Sequence, residues 1–212
     1  MPTKPAPQIT AVSYSRYRSY TECPLKCKLQ NIDKIVDTTP SPAMDRGTGI
    51  HTMGQAFVSG VVPKPDKRDG DRLKPYQSEI FAAAKGTLPK PLHNFKSEFN
   101  KLRKLGAITE QEWAFDVNWR PTSWFAMHGP TAAFLRVKVD IHYEEKKGGL
   151  LPVIDLKTGK VYPEQGQEQL ELYGIAGLLM YPAIKAVEAK LWYLDHGVDA
   201  THTFPREMLE SL

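Results

Sequence analysis

Four segments of the chain show the apolar and polar patterns of β-strands. Residues 112–119 and 135–143 alternate between the two classes, as strands with one buried face do, and their polar positions include Glu112 and Asp140. Residues 153–157 are apolar except where they present Asp155 and, two positions later, Lys157. Side chains two apart on a strand share a face, so Asp155 and Lys157 are predicted to point the same way. The fourth strand is predicted over 187–194.

Helical spacing of apolar residues predicts the remaining elements. Ser13 offers an N-cap for a helical pair that is interrupted at Cys23 and Pro24. Further helices are predicted over 43–59, 76–85, 94–105 and 163–181, and the last of these is apolar almost all round, which predicts a buried helix. We expect residues 1–12 to be a flexible lead-in and residues 13–212 to form a single domain.

The segment 146–149 is typical of a hairpin connection, so the strands that carry Asp140 and Asp155 are predicted to pair antiparallel. Such pairing can put both carboxylates on one face, at a separation that a divalent cation could bridge. Taken alone, each residue has an ordinary explanation. An Asp-x-Lys pair often closes a hairpin, and a histidine beside glycines on an apolar helix face, such as His51, is usually a core residue.

Seven polar positions are left unexplained by a core: His51, Glu112, Asp140, Asp155, Lys157, Gln169 and Tyr173. Phosphodiester hydrolysis needs residues of these types, because carboxylates and an imidazole hold Mg²⁺ or Mn²⁺ against a phosphate oxygen. The metal lowers the pKa of a water, and a lysine orients that water or offsets negative charge. Leu156 fits as well, since its backbone carbonyl can bind the metal while its side chain stays in the core.

Composition and charge limit the possible partners and the cellular location of the protein, but they do not identify its function. A net charge of +4 over 212 residues permits a polyanionic partner but does not demand one. Membrane-length apolar runs and a secretory signal are both missing, so we expect an intracellular protein that uses no membrane. The basic, tyrosine-rich segment 14–28 could contact nucleic acid or be a solvated face. The aromatic residues of 120–130 could stack on bases or cap the sheet.

The order of these motifs resembles the RecB-type branch of the PD-(D/E)XK nuclease superfamily. The motifs are Gly47-x-x-x-His51, Glu112, Asp140, Asp155-Leu156-Lys157-Thr158-Gly159 and Gln169-x-x-x-Tyr173, preceded by Ser-Tyr-Ser-Arg-Tyr and Tyr20-x-x-Cys23-Pro24. The resemblance covers nearly the whole chain. It implies an α/β fold with a mixed central β-sheet flanked by helices, and metal-dependent cleavage of DNA, often by exonuclease action at an end.

By matching position, the resemblance also implies a role for each residue. His51, Asp140 and Asp155 would bind the metal, with Glu112 as an accessory or second-metal ligand, and Lys157 would be the catalytic lysine. Gln169 and Tyr173 would orient the scissile phosphate or the DNA end. Iron–sulfur members of this branch add a C-terminal cysteine cluster, and this chain has no cysteine after Cys27, so we expect no such cluster.

The sequence therefore predicts a Mg²⁺- or Mn²⁺-dependent DNA exonuclease that serves recombination, replication or repair, compact enough to be encoded by a phage. A helicase motif is missing, so any motor or recombination partner would be a separate polypeptide. Two alternatives remain open at this stage. One is a DNA endonuclease of the same fold, and the other is a non-catalytic module for DNA binding or protein docking.

Overall fold

The computed structural model describes residues 11–35, 41–65, 69–145, 149–161 and 163–211. The described helices are α1 Tyr14–Glu22, α2 Pro24–Asn31, α3 Pro42–Ser59, α4 Gly70–Leu73, α5 Gln77–Ala84, α6 Lys96–Leu105 and α7 Pro163–Met180. The strands are β1 Ile108–Phe115, β2 Leu135–His142, β3 Leu150–Lys157, β4 Ala186–Tyr193 and β5 Val198–Pro205. Short 3₁₀ helices lie at Lys74–Tyr76, Lys90–Phe95 and Arg206–Ser211.

The strands form one five-stranded sheet in the order β1-β2-β3-β4-β5. Strand β3 pairs antiparallel with β2 and parallel with β4, and β4 pairs antiparallel with β5. The sheet is therefore mixed and flanked by helices, which confirms the predicted fold class. The antiparallel pairing of β2 and β3 is also as predicted, although residues 146–148 of the connecting hairpin lie outside the described residues.

The chain divides into two compact units. The first unit contains residues 1–40 and 112–137, and the second contains 41–111 and 138–212. Within the first unit, Val12 forms a parallel bridge with Leu135, and its N–H donates to Phe134 O at 2.7 Å. Ala11 is buried, whereas residues 1–10 of the predicted lead-in lie outside the described residues. The single domain expected over 13–212 stays a prediction.

The second unit covers its part of the sheet with helices. Ile154 and Leu156 of β3 pack into a core with residues of α3, α5 and α6, in which Trp192 stacks on Phe95 at a ring distance of 4.8 Å. Alternate positions of a strand face the other way, and there α7 approaches so closely that a Cβ added at Gly177 would lie 2.9 Å from Val187. Strand β3 is buried almost throughout for this reason.

One predicted strand was wrong in its bounds. Strand β1 ends at Phe115, and the chain turns over 116–120 instead of continuing to 119. The Oδ1 of Asp116 accepts the N–H groups of Asn118 at 2.8 Å and Arg120 at 3.0 Å, which offers the backbone an alternative to a sheet ladder. The remaining predicted elements lie within a few residues of the observed ones. Among the described helices, none has the length and apolar character needed to cross a bilayer.

Candidate active site

The site begins where β2 and β3 stop pairing. The last paired residues are Ile141 with Ile154, and one further step in the same register places Asp140 opposite Asp155. Beyond this point the N–H of Leu156 donates to the side chain of Asp140, with 2.8 Å between N and Oδ2. The carboxylate of Asp140 is thereby fixed at the end of the ladder, on the strand opposite Asp155.

Helix α3 places His51 beside Asp140. The face of α3 that carries His51 also carries two glycines. Gly47, His51 and Gly54 follow one another at i, i+4 and i+7, which places them on the same face. A Cβ added at Gly47 would lie 3.2 Å from Thr158 Oγ1, and one at Gly54 would lie 3.0 Å from a methyl of Leu156. The helix can therefore pack close to β3, and His51 Nδ1 lies 3.3 Å from Asp140 Oδ2.

His51, Glu110 and Asp140 form a cluster that could hold a metal ion. Each offers one ligand atom, and these atoms lie within 4.8 Å of one another. The three residues are half-buried, so each remains partly accessible to solvent. Two carboxylates and one imidazole are donors that Mg²⁺ and Mn²⁺ accept, so the residues fit the divalent ion that the sequence predicts.

The cluster contains Glu110 where the sequence led us to expect Glu112. The side chain of Glu112 is exposed and is not among the three residues of this cluster, and its predicted role as an accessory ligand stays a prediction. The backbone of Glu110 has φ +55°, a left-handed conformation that is rare for residues other than glycine. Strained backbone of this kind concentrates at functional sites. Lys138 forms an ion pair with Glu110.

Asp155 is held by three other side chains. Its Oδ1 accepts from the hydroxyl of Tyr173 and, at 3.3 Å, from Nε2 of Gln169, while its Oδ2 lies 2.6 Å from Lys157 Nζ. Gln169 Nε2 also donates to the Tyr173 hydroxyl at 2.9 Å. The structure therefore brings Asp155, Lys157, Gln169 and Tyr173 together, in an arrangement where the last two position the carboxylate.

Leu156 separates these two groups of residues. Its side chain is buried in the α3 core, while its N–H points to Asp140. In a strand the N–H and C=O of one residue point to the same edge, so the carbonyl also faces the β2 side. Its predicted role as a backbone metal ligand stays a prediction.

Charge and burial shift the pKa of each cluster residue. Burial lowers the pKa of His51, but the negative charges of the neighbouring carboxylates outweigh burial and raise it to about 9. Burial raises the pKa of Asp140, and the charge of His51 more than reverses this, so that pKa lies below its usual value. Burial raises the pKa of Glu110. At neutral pH the imidazole of His51 is therefore protonated beside Asp140, and a divalent cation would take the place of that proton.

Asp155 and Tyr173 shift in the other direction. Burial raises the pKa of Asp155, and the nearby ammonium group of Lys157 offsets only part of this effect. Burial and the charge of Asp155 raise the pKa of Tyr173 well above its ordinary value. The hydroxyl of Tyr173 consequently keeps its proton and stays a donor to Asp155.

A further acid, which the sequence did not single out, fixes the turn after Lys157. The Oδ2 of Asp195 accepts the N–H of Gly159 at 2.7 Å and also lies 2.9 Å from Arg46 Nη1. Arg46 is on α3, five residues before His51, so Asp195 links the helix of His51 to the end of β3. His196 adds a hydrogen bond between its Nε2 and Gly159 O at 2.8 Å. No local pattern could reveal this, because Arg46 and Asp195 are 149 residues apart.

Comparison with known proteins relates the chain to a nuclease family. A family model of the PD-(D/E)XK nuclease superfamily matches residues 11–210. None of the curated proteins matches the sequence at a significant level. Among solved structures, the chain is similar to the one titled "Crystal structure of SSO0001", with 12% identity and a TM-score of 0.35, covering 93% of this chain and 68% of that one.

Proposed function

Since the chain belongs to the PD-(D/E)XK nuclease superfamily, whose family model spans residues 11–210, we propose that it hydrolyses DNA as a Mg²⁺- or Mn²⁺-dependent exonuclease. Membership itself indicates a metal-dependent nuclease. The observation that carries the proposal is the cluster of His51, Glu110 and Asp140 at the end of the β2–β3 ladder, with Lys157 on the adjoining strand.

His51, Glu110 and Asp140 would hold the metal. When bound, a divalent ion supplies a Lewis acid for a phosphate oxygen and lowers the pKa of a water. Leu156 N–H fixes Asp140 from the β3 side, and the close packing of α3 fixes His51. Ligands that are positioned before the metal arrives need little reorganisation, which favours tight and specific binding.

Lys157 is the catalytic residue in this proposal. Its side chain is 31% exposed, and an ammonium group has three donors, of which Asp155 takes one. The remaining donors can hold the attacking water or a phosphate oxygen, which orients the nucleophile and offsets developing negative charge. Asp155 keeps the ammonium group of Lys157 in place, and we assign Asp155 the second role of metal ligand that the family resemblance implies.

Gln169 and Tyr173 act on Asp155 in the structure, and we propose that they also orient the scissile phosphate or the DNA end. Both lie on α7 and reach Asp155 from the face opposite the α3 core. In that position they would keep the carboxylate fixed while DNA enters. Gln169 and Tyr173 would then influence the rate of cleavage in two ways, by orienting Asp155 and Lys157 and by contacting the substrate.

The finer assignment rests on the order of motifs. We propose that the protein belongs to the RecB-type branch without an iron–sulfur cluster, and that it acts on linear DNA in recombination, replication or repair. A phage origin and a separate motor or recombination partner are parts of the same proposal. The net charge of +4 supports a polyanionic substrate.

Cleavage of matched linear and circular DNA tests this proposal. Purified protein is incubated with end-labelled linear DNA and with covalently closed circular DNA, each single- and double-stranded, in Mg²⁺, Mn²⁺ or EDTA. We expect degradation of the linear molecules with either metal, none in EDTA, and intact circles. Loss of the circles would instead identify an endonuclease, and intact substrate under all conditions would reject catalysis.

A matched pair of lysine variants tests the assigned site. Lys190 forms an ion pair with Glu188 on β4, with 2.5 Å between Nζ and Oε1, so strand β4 carries an acid-x-lysine pair like that of β3. We expect Lys157→Ala to lower the rate by about 100-fold or more, as removal of a charge-stabilising donor does, and Lys190→Ala to keep nearly full activity. Equal activity of the two variants would reject Lys157 as the catalytic lysine.

A further inference from the structure

The first unit carries an exposed tryptophan that is held in a strained conformation. Trp119 has φ +59°, which is unusual for a bulky residue, and its side chain is 49% exposed. The turn that holds it is built on Asp116, a buried acid whose Oδ1 accepts two backbone N–H groups of the turn. Trp119 N–H itself donates to Asp116 O at 3.1 Å. A buried acid and a strained backbone thus present an apolar ring to solvent, which calls for a functional explanation.

The same segment carries three further rings, of which Phe125 and Phe134 are exposed and Trp124 is half-buried. Trp119 meets Phe134 edge to face at 6.1 Å, and the guanidinium of Arg136 lies over the ring of Trp124 at 5.4 Å. Phe125 is 78% exposed, which is the largest value among the exposed large hydrophobic residues of the described chain. Loop hydrogen bonds fix the segment, including Thr122 Oγ1 to Thr131 O at 2.7 Å and Ala133 N to Ala126 O at 2.8 Å.

The segment 117–137 has basic side chains and no acidic ones. Residues 117–137 contain no aspartate or glutamate, and they include Arg120, His128 and Arg136. Arg120 and His128 are exposed. An anionic ligand with flat, apolar groups matches such a surface better than an ordinary protein partner does, because protein surfaces carry both signs of charge. Nucleotides with unstacked bases have both properties.

We propose that Trp119, Trp124, Phe125, Phe134 and Arg136 form a stacking surface that binds the unpaired bases of single-stranded DNA. The inference rests on the proposed nuclease function, which makes DNA the substrate, and it adds the class of strand that the first unit recognises. Aromatic rings and arginine planes stack on bases of any sequence, while cationic side chains follow the phosphates. Bases inside a duplex are already stacked, so the surface would favour single strands and frayed ends.

Binding measured without cleavage tests this directly. Fluorescence anisotropy of a labelled mixed-sequence single-stranded oligonucleotide is recorded in EDTA with wild type, Trp119→Ala, Trp119→Phe and Phe125→Ala, and repeated with a blunt duplex. We expect Trp119→Ala and Phe125→Ala each to weaken single-strand binding by about 5- to 150-fold, the range for loss of one stacked base. Trp119→Phe should recover most of the affinity, and duplex binding should change much less.

Phe81→Ala is the matched control, because Phe81 is 53% exposed but lies on α5 of the second unit. Its single-strand affinity should equal that of wild type. Thermal unfolding of each variant identifies a loss of folding, and Trp119→Phe keeps the test decisive if Trp119→Ala fails to fold. Single-strand affinities of Trp119→Ala and Phe125→Ala within twofold of Phe81→Ala would overturn the inference, as would equal losses for single strands and duplex.

The outcome is separable from that of the nuclease proposal. Wild type that binds single strands through these rings but cleaves no DNA with Mg²⁺ or Mn²⁺ would reject catalysis and keep the stacking surface. If wild type cleaves DNA while Trp119→Ala and Phe125→Ala bind single strands normally, the nuclease proposal stands and the stacking surface is rejected. Self-association that disappears in Phe125→Ala, with unchanged DNA binding, would assign the surface to a second copy of the chain and overturn the inference.

Discussion

Asp140 accepts the backbone N–H of Leu156 through its side chain, at 2.8 Å, at the point where β2 and β3 cease to pair. One carboxylate thus has two tasks. It closes the end of a strand ladder, and it faces His51 in the candidate metal cluster. Structure and chemistry depend on different properties of the same group, since an acceptor oxygen is enough for the ladder but charge is needed for the metal.

Substitution of Asp140 should separate these tasks. Asp140→Ala leaves the buried N–H of Leu156 without its acceptor, so we expect it to lose about 1–3 kcal/mol of unfolding free energy. Asp140→Asn keeps an acceptor oxygen and should lose less. We expect Mn²⁺ to raise the melting temperature of wild type through binding to the folded state, and both variants should lose this stabilisation. Denaturant unfolding in EDTA and melting curves across a Mn²⁺ titration measure the two effects.

Equal destabilisation of Asp140→Asn and Asp140→Ala would show that the charge supports the ladder as well. Retained Mn²⁺ stabilisation in Asp140→Asn would contradict the assignment of Asp140 as a ligand. Asp199→Asn offers a control, because Asp199 is exposed on β5 and contacts the hydroxyl of Thr201 on its own strand.

The third ligand is tested by two neighbouring glutamates. We expect Glu110→Gln to weaken Mn²⁺ binding by at least about tenfold, since ligand charge sets affinity at oxygen-rich sites. Glu112→Gln should leave the affinity unchanged, because its exposed side chain is not part of the cluster. Isothermal titration of the folded variants with Mn²⁺ gives both constants. A larger effect at Glu112 than at Glu110 would restore the ligand first expected from the sequence.

Much of this site could be read from the sequence because its parts are local patterns. A strand alternates with period two, so the shared face of Asp155 and Lys157 follows from spacing alone. Helical spacing likewise placed His51 on a glycine-lined face of α3. The antiparallel return of the chain then brought Asp140 opposite Asp155, as the hairpin pattern predicted.

The choice between Glu110 and Glu112 could not be read in the same way. Both residues have the same parity in a strand, so alternation cannot distinguish them. Strand spacing also does not reveal the left-handed backbone of Glu110, or the turn after Phe115 that the side chain of Asp116 holds. The sequence also did not reveal the ion pair of Arg46 with Asp195, because the two residues lie far apart along the chain.

Asp195 should matter for rate more than for substrate binding. Asp195→Ala frees the Gly159 N–H and Arg46, which loosens the turn that follows Lys157. We expect kcat to fall by about 10- to 100-fold, as small displacements of catalytic groups do, with KM nearly unchanged. Steady-state kinetics on linear DNA measures both quantities, with Asp199→Ala as the control.

Asp195→Asn refines this prediction. The amide oxygen can still accept the N–H of Gly159, so this variant should recover part of the rate lost in Asp195→Ala. A higher KM with an unchanged kcat would show that Asp195 positions the substrate and not Lys157. Full activity of Asp195→Ala would show that His196 and the β3–β4 pairing fix the turn without it.

The stability of the protein should depend on pH through His142. This residue is 1% exposed, its Nε2 lies 3.0 Å from the hydroxyl of Tyr181, and burial lowers its pKa to about 4. In the unfolded chain a histidine has a pKa of about 6.5, so the unfolded state takes up a proton first as pH falls. Neutral His142 therefore contributes stability above about pH 6.5, and this contribution is lost as pH falls towards 4.

Between about pH 7.5 and about pH 4.5 the loss from this one residue should be about 2.5 kcal/mol. Urea unfolding in EDTA across that range measures it, and His142→Gln isolates the histidine from the carboxylates that titrate in the same interval. The glutamine can still form a hydrogen bond with Tyr181 but has no proton to gain, so its stability should decline less steeply with falling pH. Parallel curves for wild type and His142→Gln would mean that His142 is protonated equally in the folded and unfolded states, which its burial argues against.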